Sequence, residues 1–385
     1  PARLRLTDFI PGQNRPFARM RIPNWTKQLL PRHTTIAEVL KDAGYRTGHI
    51  GKWHLEAKGQ PNSGTLPTDQ GFDVSHQKPA GTRGYFLRPG IRSQSGSNYV
   101  TDYLTDKACE FISESKSDPF FLYFAYHVPH TPIQGRSDLV EYFNKKAKPS
   151  AIHNNPVYAA MASSLDQSAG RILDQLRRDG LADNTIVLFT SDNGGLTQRY
   201  GKHDGFTENL PLRRGKGSAY EGGVRVPMIV RWPHVTESGA ECAEPVMTID
   251  FFPTLLEVAG VKQQATSPID GQSLVPLLKN PGTEIRRNLY WHFPHYHAGG
   301  DGPYSAVRAK NYRLIEFHED DSVRLYDLAS DPGESKDLAG SMPERAANLR
   351  SDLHRWRKSV QAQMPTQNPN FDPQRATQVV KAAKR

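Results

Sequence analysis

Segments with a helical spacing of apolar residues alternate with short, continuous apolar runs along most of this chain. That alternation constrains the fold more than any other feature. Ile36, Val39, Leu40 and Ala43 recur at i, i+3, i+4 and i+7, and Thr35-x-x-Glu38 has the form of a capping box. Gly44 is a natural helix stop, and Tyr45 to Gly51 then reads as a strand. The same unit returns: Leu104, Ala108, Phe111 and Ile112 mark a helix, Asp118-Pro119 breaks it, and Phe120 to Tyr126 is an apolar run of buried-strand type. A long helix is expected from about Asn155 to Asp179, strands over Thr185 to Thr190 and Val226 to Trp232, and a further helix over Ile249 to Ala259. Such alternation implies an α/β fold, a mostly parallel sheet sandwiched by helices. Open sheets of this kind place their sites just beyond the carboxyl ends of the strands.

After about Pro281 the texture changes. Asn288 to Phe293, Tyr304 to Ala309, Tyr312 to Phe317 and Arg324 to Leu328 read as short strands joined by tight turns, and a helix follows from about Pro343 to Ser359. This predicts a small antiparallel sheet with one helix. The expected organisation is a large α/β domain over 1–280, an α+β subdomain over 281–360, and a mobile tail over 361–385 without apolar periodicity. A chain of 385 residues is long enough for such a core and an appended unit.

Lys and Arg outnumber Asp and Glu by 49 to 40, a net charge of +9. A basic balance suits an anionic substrate, or simply a solvated basic surface, and both readings stay open. No nucleic-acid-binding motif is present. No apolar run approaches the ~18 residues of a membrane span. The two cysteines, Cys109 and Cys242, are too few for a disulfide framework and have no zinc spacing. The chain opens Pro1-Ala2-Arg3, with neither an initiator Met nor a signal peptide, as processing or truncation would leave it.

Four polar clusters are read as lying just after expected strands: Gly51-Lys52-Trp53-His54, His127-Val128-Pro129-His130, Ser191-Asp192-Asn193-Gly194 and Gly215-Lys216-Gly217. Lysines bind the charge of an oxyanion, histidines move protons, and Asp with Asn offers oxygen ligands to a hard cation. Each cluster alone has a plainer reading. Asp-Asn-Gly-Gly is a common turn, Gly-Lys-Gly a common loop, and only one of His127 and His130 need face a site. The functional reading rests on their conjunction.

Those residues carry a resemblance. Gly51-Lys-Trp-His-Leu55 is similar to the second signature of the type I, formylglycine-dependent sulfatases of the alkaline-phosphatase-like superfamily, with Glu56 where that family has Gly. Ser191-Asp-Asn-Gly-Gly195 resembles the family's metal-binding segment, and Leu212 to Pro227 its lysine-bearing loop and following strand. The resemblance implies a calcium-dependent hydrolase of sulfate esters, with magnesium as a possible substitute ion. It implies Asp192 and Asn193 as two of four protein ligands of the ion. It further implies Lys52 and Lys216 on the sulfate oxygens, His54 in support of the nucleophile, and His130 as general acid. Glu221 and its neighbouring glycines are expected to be structural.

The family's nucleophile is a formylglycine made from Cys or Ser in a C/S-x-P-x-R signature. Pro1-x-Arg3 is not its end, because Leu6-Thr-Asp-Phe-Ile-Pro-Gly12 resembles sequence further downstream. The resemblance therefore puts the nucleophile, its arginine, two metal aspartates and a central strand upstream of residue 1, and implies that the chain by itself is inactive. A phosphoesterase of the same superfamily and a non-catalytic sulfated-glycan-binding protein are the rival readings. The expected substrate is a sulfated carbohydrate rather than an aryl sulfate, and the expected location periplasmic or extracellular. Trp291 to His297 could stack on sugars or simply end a strand.

Overall fold

The computed structural model describes residues 1–7, 15–57, 64–146, 154–197, 205–262, 268–285, 287–297 and 300–379. Its elements run β1 (Met20–Arg21), α1 (Ile36–Asp42), β2 (Arg46–Gly51), β3 (Val74–His76), α2 (Val100–Glu114), β4 (Phe120–Ala125), α3 (Ser137–Lys145), α4 (Pro156–Arg178) and β5 (Val187–Thr190). They continue with α5 (Glu221–Val224), β6 (Met228–Arg231), α6 (Phe251–Val258), α7 (Val275–Lys279), β7 (Asn288–Phe293), β8 (Tyr304–Ala309), β9 (Tyr312–Phe317), β10 (Val323–Asp327), α8 (Pro343–Ser359) and β11 (Thr366–Gln367). The chain divides into two compact units. One comprises Leu29–Leu188 and Ile229–Glu284; the other comprises Pro1–Gln28, Phe189–Met228 and Ile285–Arg385.

The first unit holds a three-stranded parallel sheet in the order β3-β2-β4. Its helices form where the local signals place them. The Thr35 hydroxyl accepts from the Glu38 amide at 3.1 Å, and the Glu38 carboxylate accepts from the Thr35 amide at 2.6 Å, so the expected capping box starts α1. The Asn155 side chain caps α4 by accepting from the amides of Val157 and Tyr158. α2 lays Val100, Leu104 and Ala108 onto Ile50 of the central strand. A second cluster gathers Tyr85, Tyr99, Val128 and Met161. This is the helix-covered parallel sheet that the alternating pattern implies. α3 is an addition: a short amphipathic helix none of whose residues is buried.

The second unit holds the antiparallel sheet β10-β9-β8-β7. Side chains on a strand alternate between faces, and the two faces of this sheet have different partners. Ala306, Ile315 and Tyr326 pack with Ala219 and Tyr220. Val307, Leu314 and Leu325 pack with Ala346, Leu349 and Leu353 of α8. The segment expected as a tail is described as far as 379, and there β11 pairs antiparallel with β1. The Asn368 amide donates to the carbonyl oxygens of Pro16 and Ala18. β5 and β6 form a separate two-stranded sheet.

Candidate active site

In the parallel-sheet unit the first two clusters leave neighbouring strands. β2 and β4 are in parallel register, Gly51 opposite Ala125. Gly51 sits at φ +105°, and a Cβ there would lie 2.0 Å from the Ala125 carbonyl oxygen, so only glycine allows the two strand ends to close in this way. The Lys52 amide then donates to that same Ala125 carbonyl at 2.8 Å. From the other side, the buried His49 ring sets Nε2 3.3 Å from the Lys52 carbonyl and Nδ1 3.1 Å from the Ser75 hydroxyl. The carbonyl can only accept, so Nε2 carries the proton and Nδ1 accepts from Ser75. The Lys52 backbone is thereby held on both sides. His54 follows at φ 60°, a left-handed conformation unusual for a residue with a side chain.

Beyond β4 the His127 to His130 turn closes with the His130 amide donating to the His127 carbonyl at 3.1 Å. The buried Tyr85 hydroxyl lies 2.6 Å from the His127 carbonyl oxygen and 2.8 Å from that of His130, and secures the turn from below. His130 is exposed, with Nδ1 2.8 Å from the Thr131 carbonyl oxygen. The carbonyl can only accept, so Nδ1 is the donor in this contact. His127 is more buried. Burial, then the charges of Lys78, Lys52, His130 and His49, push its pKa down to about 4, so it is neutral at neutral pH.

In the antiparallel-sheet unit the other two clusters meet through their backbones. The Ser191 hydroxyl donates to the Asn193 carbonyl at 3.0 Å, and the Gly194 amide donates to the Gly223 carbonyl at 3.1 Å. The Lys216 amide donates to the Gly195 carbonyl at 3.0 Å. Asn209 stitches the two loops together: its Oδ1 accepts from the Gly195 amide, and its Nδ2 lies within 3.1 Å of the carbonyl oxygens of Gly195, Arg214 and Gly222. Asp192 and Asn193 thus adjoin the Lys216 turn, while Lys52, His54 and His130 belong to the other unit.

Behind the turn, Glu221 is buried as an anchor. Its carboxylate accepts from Arg313 Nη1 at 2.6 Å and from Arg308 Nη1 at 3.2 Å, and its amide donates to Glu334 at 2.6 Å. The structural role expected of Glu221 has this basis. Arg313 Nε stands 3.6 Å from Glu334 Oε1, an ionic contact rather than a hydrogen bond. Desolvation raises the Glu334 pKa to about 7 against the opposing pull of Arg313.

The aromatic and histidine side chains of β7 are used inside the unit. The Arg313 guanidinium lies over the Trp291 ring at 4.6 Å. His292 contacts Ser305 and the Gln363 carbonyl, and His295 contacts Thr7. The strand-end reading of this segment fits these contacts. His297 is also buried; burial, then the charges of Lys216 and Arg15, push its pKa down to about 4.

Sequence reasoning misses Asn209 and Glu334, whose contacts reach backbone atoms elsewhere in the chain, and His49, which bridges the Lys52 carbonyl and the Ser75 hydroxyl; none leaves a periodic signal. It also overlooks Ser341-Met-Pro-Glu-Arg345, which fits the C/S-x-P-x-R pattern. This run leads into α8, which packs on the sheet face opposite Ala219 and Tyr220. The sheet therefore separates it from the Lys216 turn, and it does not supply a nucleophile there.

The sequence model of the family described as Sulfatase matches residues 6–261, and that of the N-sulphoglucosamine sulphohydrolase C-terminal region matches 215–363. A sulfatase of Formosa agariphila is 31% identical over 83% of this chain and 69% of its own length. Mouse arylsulfatase J is 26% identical over 89% of this chain and 65% of its own. The chain thus spans about two thirds of the length of these relatives. The crystal structure of Ps i-CgsB in complex with k-i-k-neocarrahexaose superposes with a TM-score of 0.72 at 25% identity, covering 93% of this chain and 80% of that one. The family match extends over more than half of the sequence, and with the identity to the Formosa protein it establishes that this chain belongs to the sulfatase family of the alkaline-phosphatase-like superfamily.

Proposed function

We propose that the protein hydrolyses sulfate esters carried on a carbohydrate. The observation that carries this reading is the bond from the Lys216 amide to the Gly195 carbonyl, which brings an ammonium-bearing turn against the Asp192–Asn193 turn. An ammonium beside hard oxygen donors suits a tetrahedral oxyanion. Lys52, His54 and His130 form the complementary set on the parallel-sheet unit.

In this reading Lys52 and Lys216 hold the non-bridging sulfate oxygens and stabilise the charge that shifts onto the leaving oxygen. Protonated His130 passes a proton to the leaving oxygen as the sulfur–oxygen bond breaks. His54 supports the nucleophile. Asp192 and Asn193 offer donor types that fit calcium, with magnesium as the alternative. They supply two protein side chains toward the about 6–8 oxygens that calcium takes. Among the described residues no group of three or more His, Cys, Asp or Glu forms a metal site. The donor chemistry fits, but the number does not complete a site. When bound, the ion would neutralise sulfate charge. The formylglycine implied by the family resemblance would supply the covalent step.

The oligosaccharide bound by Ps i-CgsB and the sulphohydrolase named in the C-terminal family match both support a carbohydrate as substrate. No helix among the described residues is long and apolar enough to cross a membrane. A periplasmic or extracellular site of action accords with a polymeric substrate.

The test is kcat/KM on a sulfated oligosaccharide and on a nitrophenyl sulfate, with protein expressed from its complete reading frame. Lys216→Ala should lower turnover by about 10²–10³-fold on both. His130→Ala should cost more on the sugar sulfate, because a nitrophenolate departs without a proton. Equal losses would remove the general-acid role. Phosphate-ester hydrolysis outrunning sulfate-ester hydrolysis would overturn the reading as a whole.

A further inference from the structure

The Lys216 turn has a conformation that needs outside support. Arg214 lies at φ 60° and Gly217 at φ +82°, two left-handed residues within four positions. Glycine adopts such backbone freely, but for Arg214, which carries a Cβ, it persists only where the surroundings over-determine it. Its support comes from the loop between β7 and β8. A Cβ on Gly217 would lie 2.1 Å from Nδ1 of the His297 ring, so the imidazole occupies the space beside the turn. The Gly300 amide donates to the His297 carbonyl at 3.2 Å, and Arg15 Nη2 donates to the same carbonyl at 3.2 Å.

Asp301, near the end of this loop, makes three contacts to the turn. Its Oδ2 accepts from the Ser218 hydroxyl at 2.7 Å and from the Ala219 amide at 2.9 Å. Its Oδ1 stands 3.3 Å from Arg214 Nη1. One carboxylate therefore grips the turn on both sides of Lys216, and its side chain is only 12% exposed. Charge-assisted bonds in such a setting are about twice as strong as neutral ones. The Ser218 hydroxyl also lies 3.3 Å from the Tyr220 amide, so the grip extends toward the buried Glu221 anchor.

We infer that Asp301 is a positioning residue for Lys216: it fixes the turn that presents the ammonium to the substrate, without touching substrate itself. This rests on the sulfate-binding role proposed above for Lys216. It adds a dependence on the antiparallel sheet, because the grip comes from that sheet's own β7–β8 loop. Displacing a charged group by about an ångström costs up to about 10²-fold in rate.

A double-mutant cycle on the full-length protein, read with nitrophenyl sulfate, tests the inference. Asp301→Ala should lower kcat/KM by about 10–100-fold, mostly in kcat, while Asp301→Asn keeps one acceptor and recovers part of the loss. In a Lys216→Ala background the same Asp301→Ala change should cost less than about twofold, because the group it positions is gone. Equal losses in both backgrounds, or none in either, would overturn the inference. Full activity in Lys216→Ala alone would instead remove the reading on which it rests. Amide hydrogen exchange gives an answer independent of turnover. Exchange over 214–219 should quicken in Asp301→Ala while that of β9 is unchanged, and unchanged exchange at Ala219 would sink the proposal.

Discussion

The two units bury different chemistry. In the parallel-sheet unit the strand-to-helix contacts are apolar, with Ile50, Val100, Leu104 and Ala108 in one cluster and Tyr85, Tyr99, Val128 and Met161 in another. It also buries the carboxylates Asp102, Asp106 and Asp250, of which Asp106 pairs with Arg171, a partly exposed cation. In the antiparallel-sheet unit, fully buried Arg313 stands between Glu221 and Glu334, and Glu316 is enclosed by Arg350, His354 and Arg357. His292, His295, His297 and His318 add four imidazoles whose pKa burial pushes down to about 4. Apolar burial does not titrate, whereas buried ions and histidines do. The contrast therefore predicts two units with separate sensitivities to pH and to mutation.

Acid should separate them most. A histidine held near 4 in the fold and near its ordinary 6.5 when unfolded binds fewer protons in the native state. Its stabilising effect is complete above 6.5 and is lost as the pH falls from 6.5 toward 4. Each such site contributes a slope of up to about 1.4 kcal/mol per pH unit. Among the described residues the antiparallel-sheet unit has four held this low; in the parallel-sheet unit His127 is held as low, and burial also lowers His33, His49 and His76. Glu334, raised to about 7, works in the opposite direction, favouring the fold as the pH falls from 7 toward 4.5, but it is one group against four. Opening free energies from hydrogen exchange at pH 7.5 and pH 5 should fall mainly in the antiparallel-sheet unit. An equal fall in both units would break the comparison.

Arg313→Ala should cost about 3–5 kcal/mol in chemical denaturation, since it strands two buried carboxylates. Arg313→Lys should not restore the full value, because an ammonium lacks the fork that reaches Glu221 and the Ala219 carbonyl together. Leu104→Ala, in the other unit, should cost about 2–5 kcal/mol, with the same value at pH 7.5 and pH 5. A strong pH dependence of that loss would blur the distinction drawn here. Thr35→Ala removes a capping-box hydroxyl and should cost about 1 kcal/mol, read as a shift in denaturation midpoint without change in slope.

What could be read from the sequence follows the range of the interactions. The capping box at Thr35, the span of α4 and the four strands of the antiparallel sheet depend on neighbours a few residues apart, and periodicity reports them. The placement of Lys52 after β2 and of Asp192 after β5 was legible for the same reason. α3 was not, because a short surface helix buries nothing that would sharpen its pattern. Asn209 and Asp301 act on backbone carbonyls and amides brought near by the fold, and His49 on the Ser75 hydroxyl of the neighbouring strand. Any Asn or Asp in a loop has the same local appearance, so no spacing rule separates a stitch from a solvated turn.

The two-faced antiparallel sheet has a practical consequence. Arg355 and Lys358 lie on α8, on the far side of the sheet from the Lys216 turn, so chemistry done there is screened by a full layer of backbone. A Cys242→Ser, Lys358→Cys variant, with the exposed native thiol removed, tethered to a solid support should turn over substrate as the free protein does. It would offer a handle for single-molecule or flow measurements in which the reacting side of the unit stays unobstructed.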